Sequence, residues 1–386
     1  MHTKKKILID GLALLSPFTG VAKYTYENAF RLARDNSDNY EWFYDYGFHS
    51  KNLIKSDTVQ PGETRLKKLK QLIVSHPRIK ACARDILSLL SRIASPRYDL
   101  YWQPNYIPKK IKTKKTVTTV HDFSFHVQPD WHPEERLQYY RKHFWHAASA
   151  SDWIITGSHF TKQEIVEYMG YPEEKITVIY HAVDHTLYKV YEESELERTK
   201  KRWKLPDHFL FFVGSIEPRK NLKTLLQAYH QLSADIKETY PLILAGFKGW
   251  ENEEIMREIE KERAHIQYLG YVTDEEMAHL YNLATLFVYP SLYEGFGIPP
   301  LEAMACGTAV LSSYAASLPE ACGDAALYVD PQSSRDIAEK ITCLLQDAPE
   351  RARLAERGIA HAKEFTWERA ARAHMEVFQN LLGESV

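Results

Sequence analysis

Two acidic side chains eight residues apart, Glu294 and Glu302, bracket Gly295 and Gly297 in the run from Tyr289 to Ala305. On one continuous helix their positions would stand about 80° apart in projection and roughly 12 Å apart along the axis. The two glycines and the pair Pro299-Pro300 exclude that helix. The prolines suit a first helical turn, where a missing N–H costs nothing. This places Glu294 on a loop and Glu302 in the first turn of the helix that follows, both within reach of one ligand. Glycines let a ligand approach the backbone closely, and a helix N-terminus offers unpaired N–H groups to an anion. The segment is built to hold a phosphate-bearing molecule. By itself the glutamate spacing fits a tight turn with a capping acid better than a ligand site; the glycines, the prolines and a preceding strand shift the balance to a ligand.

The elements that must position these residues are short β-branched or aromatic runs separated by stretches of helical period. Strands are expected at Ile7–Asp10, Asp99–Gln103, Thr116–His121, Trp153–Thr156 and Thr177–Tyr180. The pattern restarts with Phe209–Val213, Leu242–Ala245, Gln267–Leu269, Leu286–Tyr289 and Ala309–Ser312. Near-continuous apolar strands of this kind form parallel sheets covered on both faces. The expected fold is α/β with two Rossmann-like doubly wound domains facing a cleft, residues 1–190 and 191–366. Tyr191–Lys204, charged and without strand character, is read as their connection, and a last helix from Trp367 is expected to pack back on the first domain. Ligands of such sheets bind at the carboxyl ends of the strands, where Tyr289–Gly297 falls.

Composition narrows the classes. A chain of 386 residues exceeds one ordinary core. Lys and Arg (49) nearly balance Asp and Glu (51), which gives no argument for a nucleic-acid partner. Cys82, Cys306, Cys322 and Cys343 are widely spaced, which argues against a zinc site or a disulfide framework and suits a reducing cytoplasm. Lys4–Lys6 followed by Ile7–Ile9 imitates a signal peptide, but Asp10 and Gly11 interrupt the apolar run, so a buried first strand is the expectation. Arg65 to Arg97 holds nine basic residues and one acid, Asp85, with apolar residues at helical spacing. A solvated helix pair is the favoured reading; peripheral contact with an anionic membrane is the alternative.

With its flanking motifs, the Tyr289–Ala305 segment resembles the EX7E signature of retaining GT-B glycosyltransferases of the GT4 family. The resemblance runs over nearly the whole chain, in order: Thr19–Thr25 with Gly20 as the N-terminal glycine loop, Thr119–Asp122 around His121, Ser158–Lys162, Val178–Asp184, Phe212–Asn221, and Leu318–Glu320 followed by Gly323–Ala326. It implies roles residue by residue. Arg219 and Lys220, with Ser215 nearby, would neutralise the donor's diphosphate; cations just before a helix are otherwise unfavourable unless an anion is near. Glu302 would accept from the ribose hydroxyls. Glu294 and the amides of Gly295, Phe296 and Gly297, running into Ile298, would hold the transferred sugar. Tyr271 and Val272, at a strand end, would meet the base through their backbone, and His121 would hydrogen-bond the sugar near the reacting carbon. The leaving diphosphate would take the acceptor's proton as the hydroxyl attacks the same face.

The chain departs from the family pattern at Ser215, where Arg is frequent, which leaves the phosphate to Arg219 and Lys220. Ala22 stands where a second glycine is common, and His181 where Asn is frequent. The run Asp122–Pro133 most resembles bacterial mannosyltransferases of polysaccharide or lipopolysaccharide assembly. That implies GDP-mannose, or a UDP-linked sugar as the alternative donor, and a saccharide or lipid-linked acceptor. With no Asp-x-Asp in the chain, no metal or other cofactor is expected. A nucleotide-sugar epimerase and a non-catalytic scaffold of the same fold are the rival readings. An NAD dehydrogenase is disfavoured, because no GxGxxG opens a helix after the first strand.

Overall fold

The computed structural model describes residues 4–15, 20–54, 97–247 and 253–384. Residues 65–96 of the basic stretch, and Cys82 with them, lie outside these. The first sheet holds seven strands: β1 Lys5–Asp10, β2 Tyr40–Asp45, β3 His49–Ser50, β4 Tyr98–Gln103, β5 Thr113–Val120, β6 Trp153–Thr156 and β7 Ile176–Val178. Their order is β3-β2-β1-β4-β5-β6-β7. All pairings are parallel except β2 with β3. The second sheet holds β8 Leu210–Val213, β9 Leu242–Ala245, β10 Ile266–Gly270, β11 Leu286–Tyr289, β12 Val310–Ser313 and β13 Leu327–Val329. Its order, β10-β9-β8-β11-β12-β13, is parallel throughout. In both sheets the strand order reverses beside the domain's first strand, and that reversal opens a crevice at the carboxyl ends.

The apolar runs explain the burial. Every residue of β9, β11 and β12 is buried, as strands covered on both faces require. The stretch read as a connection forms a helix, Glu193–Trp203, closed at its start by a capping box of Glu192 and Glu195. It packs on the helix Asp274–Leu283 of the second domain, to which it therefore belongs. The chain returns to the first domain at a bridge between Val183 and Thr366. There the helix Trp367–Leu382 buries Trp367, Ala370, Met375 and Phe378 against the helix Gly20–Asp35 and its sheet. No helix among the described residues is long and apolar enough to cross a membrane.

Candidate active site

Between β8 and its helix the chain makes a tight basic turn. Pro218–Lys220 is a single 3₁₀ turn, and Asn221 follows with a left-handed φ of 58°. The Asn221 amide donates to the carbonyls of Pro290 (2.9 Å) and Pro331 (2.7 Å), so this turn is tied to the loop after β11. The amide of Leu292 donates to the Arg219 carbonyl at 2.9 Å, and Ser291 Oγ lies 3.0 Å from the same oxygen. Switch-point strands β8 and β11 thereby present their loops as one unit.

Glu294 is the anion that the basic turn requires. Its carboxylate receives Lys220 Nζ at 2.6 Å and Arg219 Nη1 at 2.5 Å. The hydroxyls of Ser291 (2.7 Å) and Tyr289 (2.9 Å) also donate to it. Arg219 turns its other nitrogen to Glu217 at 2.9 Å. Burial would raise the Glu294 carboxyl, but Arg219 and Lys220 outweigh it and hold the group at about 2. Burial and the neighbouring Arg219 push the Lys220 ammonium down. Two acids, Glu294 and Glu217, thus balance two cations, Arg219 and Lys220, in a largely buried cluster.

The loop that carries Glu294 is held between the domains. The Gly295 carbonyl accepts from Ser158 Oγ of the first domain at 2.8 Å. Tyr293 reaches across to donate to the Glu164 carboxylate (2.6 Å) and to accept from the Phe123 amide (2.9 Å). Glu320 returns the contact by accepting from the amides of His159 (2.7 Å) and Phe160 (3.2 Å), at the start of the helix His159–Met169. Gly297 has φ 129°, a conformation that favours glycine. The side chain of Phe296 is buried among Tyr180, His181 and Phe365.

Glu302 occupies a different corner. The helix begins at Ile298, which puts Glu302 in its second turn rather than the first; Ile298, Pro299 and Pro300 take up the opening turn. Its carboxylate lies 3.6 Å from Lys23 Nζ of the first domain and accepts from Tyr281 at 3.4 Å. Burial raises the carboxyl and Lys23 opposes that rise. Gly20, the first residue of the helix that carries Lys23, has nothing within 4 Å of where a side chain would begin.

His121 directly follows β5, whose last residue is Val120, and stands opposite the Gly295 loop. Its Nε2 is 2.8 Å from the Pro104 carbonyl, which can only accept, so Nε2 carries the proton and Nδ1 the lone pair. Burial lowers its pKa, leaving the ring neutral near pH 7. Behind it lies a chain of hydrogen bonds that sequence reasoning missed. His374 Nδ1 donates to Ala370, so its Nε2 accepts from Tyr24 at 2.7 Å; Tyr24 in turn lies 3.1 Å from Thr119, which accepts from Trp102 at 3.0 Å. The terminal helix thus supports the wall on which His121 stands.

At the far end of the second sheet Val272 is core, whereas Tyr271 is exposed and faces Phe247 with ring centroids 5.0 Å apart. Phe247 follows β9 as Tyr271 follows β10, a pairing visible only once the strands are adjacent. Ser215 is the second residue after β8, and the amide of the next residue, Ile216, donates to the Phe247 carbonyl at 3.0 Å. No group of three or more metal-ligating side chains exists among the described residues.

Comparison with known proteins fits this architecture. Residues 18–187 match the glycosyltransferase family 4 domain and residues 193–361 the glycosyl transferases group 1 domain. The chain is 34% identical to O-antigen chain mannosyltransferase B of Escherichia coli, over 97% of this chain and 100% of that protein. It is 35% identical to the serotype-specific mannosyltransferase WbdA of Escherichia coli, over 61% of this chain and 29% of the longer relative. The crystal structure of WaaG, a glycosyltransferase involved in lipopolysaccharide biosynthesis, matches with a TM-score of 0.69 at 14% identity, over 96% of this chain and 99% of WaaG. Anabaena HepE in complex with UDP and glucose matches with a TM-score of 0.68 at 18% identity, over 97% of this chain and 100% of HepE. Together with the paired switch-point crevices, these similarities show that the chain is a glycosyltransferase of the GT4 family, with the GT-B fold.

Proposed function

We propose that this glycosyltransferase moves mannose from GDP-mannose onto a saccharide or lipid-linked saccharide, with retention of configuration and without a metal ion. The observation that carries the reading is the convergence of Arg219, Lys220 and Glu294 at the second sheet's switch point, directly opposite His121. A nucleoside diphosphate sugar needs those groups together. As the bond between the sugar carbon and the phosphate oxygen breaks, its electrons collect on the diphosphate, where the two cations face them. The acceptor hydroxyl forms the new bond to the carbon, and its proton passes to the departing phosphate oxygen, so no protein base is required. Glu294 and the amides of Gly295 to Gly297 hold the sugar hydroxyls, and Glu302 takes the ribose. Proximity and fixed charge supply the rate. Similarity to two mannosyltransferases supports the choice of mannose.

Calorimetry with GDP, UDP and ADP, followed by turnover of the matching sugars, tests the donor. Tightest binding of GDP and transfer from GDP-mannose are expected; turnover of a UDP-sugar alone would refute the choice. Nuclear magnetic resonance of the product reads the anomeric configuration, where inversion would refute retention. Loss of activity with EDTA would refute metal independence.

A further inference from the structure

We propose that Ser317, on the loop after β12, is a positioning residue for the donor: its hydroxyl aims the amides of Gly295 and Gly297 at one hydroxyl of the transferred sugar, which the enzyme thereby selects. The proposal rests on the donor reading above. Ser317 is fully buried and is the N-cap of the helix Leu318–Cys322. A serine at that position ordinarily accepts from an amide of the helix's first turn. This one does not. Its Oγ lies instead 2.7 Å from the Glu294 carbonyl and 2.8 Å from the Phe296 carbonyl, and its single proton is shared between them. Ala316, just before it, has a left-handed φ of 50°, which a residue with a side chain adopts only where its surroundings impose it. On the other flank Leu318 presses against Gly297, 2.8 Å from where a Cβ would stand.

Holding a carbonyl fixes the amide on the far side of its peptide, because in a planar trans unit the N–H points opposite to the C=O. The Ser291–Leu292 peptide behaves in this way. Ser313 Oγ donates to the Ser291 carbonyl, and the Leu292 amide on the far side donates to the Arg219 carbonyl at 2.9 Å. The Glu294–Gly295 and Phe296–Gly297 peptides are held likewise by Ser317, so the amides of Gly295 and Gly297 point away from it. Neither amide has an acceptor among the described residues, although Gly297 is buried. Unpaired N–H groups in such a place are rare, and a ligand oxygen satisfies them. Glu294, which precedes the first amide, decides the kind of oxygen. Its Oε1 receives Lys220, Ser291 and Tyr289, whereas Oε2 receives only Arg219 among the described residues and keeps a lone pair for a further donor. A phosphate oxygen would suit the amides but be repelled by this carboxylate. A hydroxyl suits both, donating to Glu294 while accepting from an amide.

The test compares the full-length protein with Ser317→Ala, Ser317→Cys and Ser313→Ala. The last removes a buried hydroxyl from the same segment, but from a peptide whose N–H keeps Arg219 as its acceptor. The ratio of kcat/KM for GDP-mannose to that for analogues lacking one sugar hydroxyl each is measured, with free GDP affinity by calorimetry. Ser317→Ala should shrink that ratio about tenfold at one hydroxyl position. Ser317→Cys, with a weak S–H donor in its place, should shrink it less, and Ser313→Ala should leave it unchanged. Free GDP should bind all three variants within about twofold of the unaltered protein. Each ratio is taken within one variant, so a loss of folded protein cancels from it. The proposal is overturned if Ser317→Ala slows GDP-mannose and every analogue by one common factor, which a merely structural role would give. It is also overturned if Ser313→Ala shrinks the ratio as much, or if Ser317→Ala weakens free GDP instead, which would assign the amides to phosphate. If the unaltered protein turns over a different nucleotide sugar, the choice of mannose fails, and the same comparison on that sugar's deoxy analogues decides the role of Ser317.

Discussion

The carbonyl oxygen of His121 fills the space in which residue 295 would carry a side chain: a Cβ on Gly295 would lie 2.0 Å from it. That contact joins the first domain to the second beside the loop that carries Glu294. It is backbone against side-chain root, so no rotamer change relieves it.

Gly295→Ala should therefore hold the domains apart by an ångström or so. Displacement of that order costs about 100-fold in rate. Nucleotide affinity should change little, since Arg219, Lys220 and Glu302 all lie on the second domain. Steady-state transfer beside calorimetric GDP titration reads both; an active variant would show that this approach is dispensable.

Lys220→Met removes one of two cations while keeping the length of the side chain. Transfer should fall about 10²–10³-fold and GDP should bind at least about tenfold more weakly. Glu294 would then rest on Arg219 and its hydroxyl partners, so a lower melting temperature is expected too. Unchanged GDP affinity would contradict the phosphate role.

Glu294→Ala separates sugar from nucleotide. Turnover should drop by about two orders of magnitude or more, while free GDP binds as well or better, because the cations lose the carboxylate that competes with phosphate. Weaker GDP binding would show that Glu294 organises the cations and does not compete for them.

Stability should depend on pH through Glu164. Burial raises its carboxyl to about 7, opposed by the hydrogen bond from Tyr293. Between about pH 4.5 and 7 the folded protein keeps a proton that the unfolded chain has released, so this group's contribution favours folding less as pH rises through that window. Its full effect, roughly 3 kcal/mol, is a penalty above pH 7. Glu164→Gln should flatten that slope and raise the melting temperature at pH 8. An unaltered pH profile would contradict the assignment.

Much of this was legible in the chain because parallel strands buried on both faces announce themselves as apolar runs; β4, β6, β9 and β11 fall within a residue of expectation. β2 was missed because its Tyr-Glu-Trp-Phe-Tyr-Asp run mixes acids with aromatics near a sheet edge, β3 because two residues carry no period, and β13 because it spans only three. β3 also adds an antiparallel pair where parallel strands were expected. Gly295, Gly297, Arg219 and Lys220 could be singled out since their types conflict with ordinary loop or helix chemistry. Tyr289, Ser291 and Glu217 gave no such signal, because a Tyr, a Ser or a Glu is unremarkable until folding brings it to Glu294 or Arg219. Tyr24 and His374, 350 positions apart, meet only because the last helix returns to the first domain.

The central claim is that the cations now holding Glu294 are the donor's diphosphate site. A crystal structure with bound GDP tests it most directly. Phosphate oxygens within about 3 Å of Lys220 Nζ and the Arg219 guanidinium are predicted, with the ribose on Glu302. A nucleotide bound elsewhere, with both cations still clamped on Glu294, would contradict it.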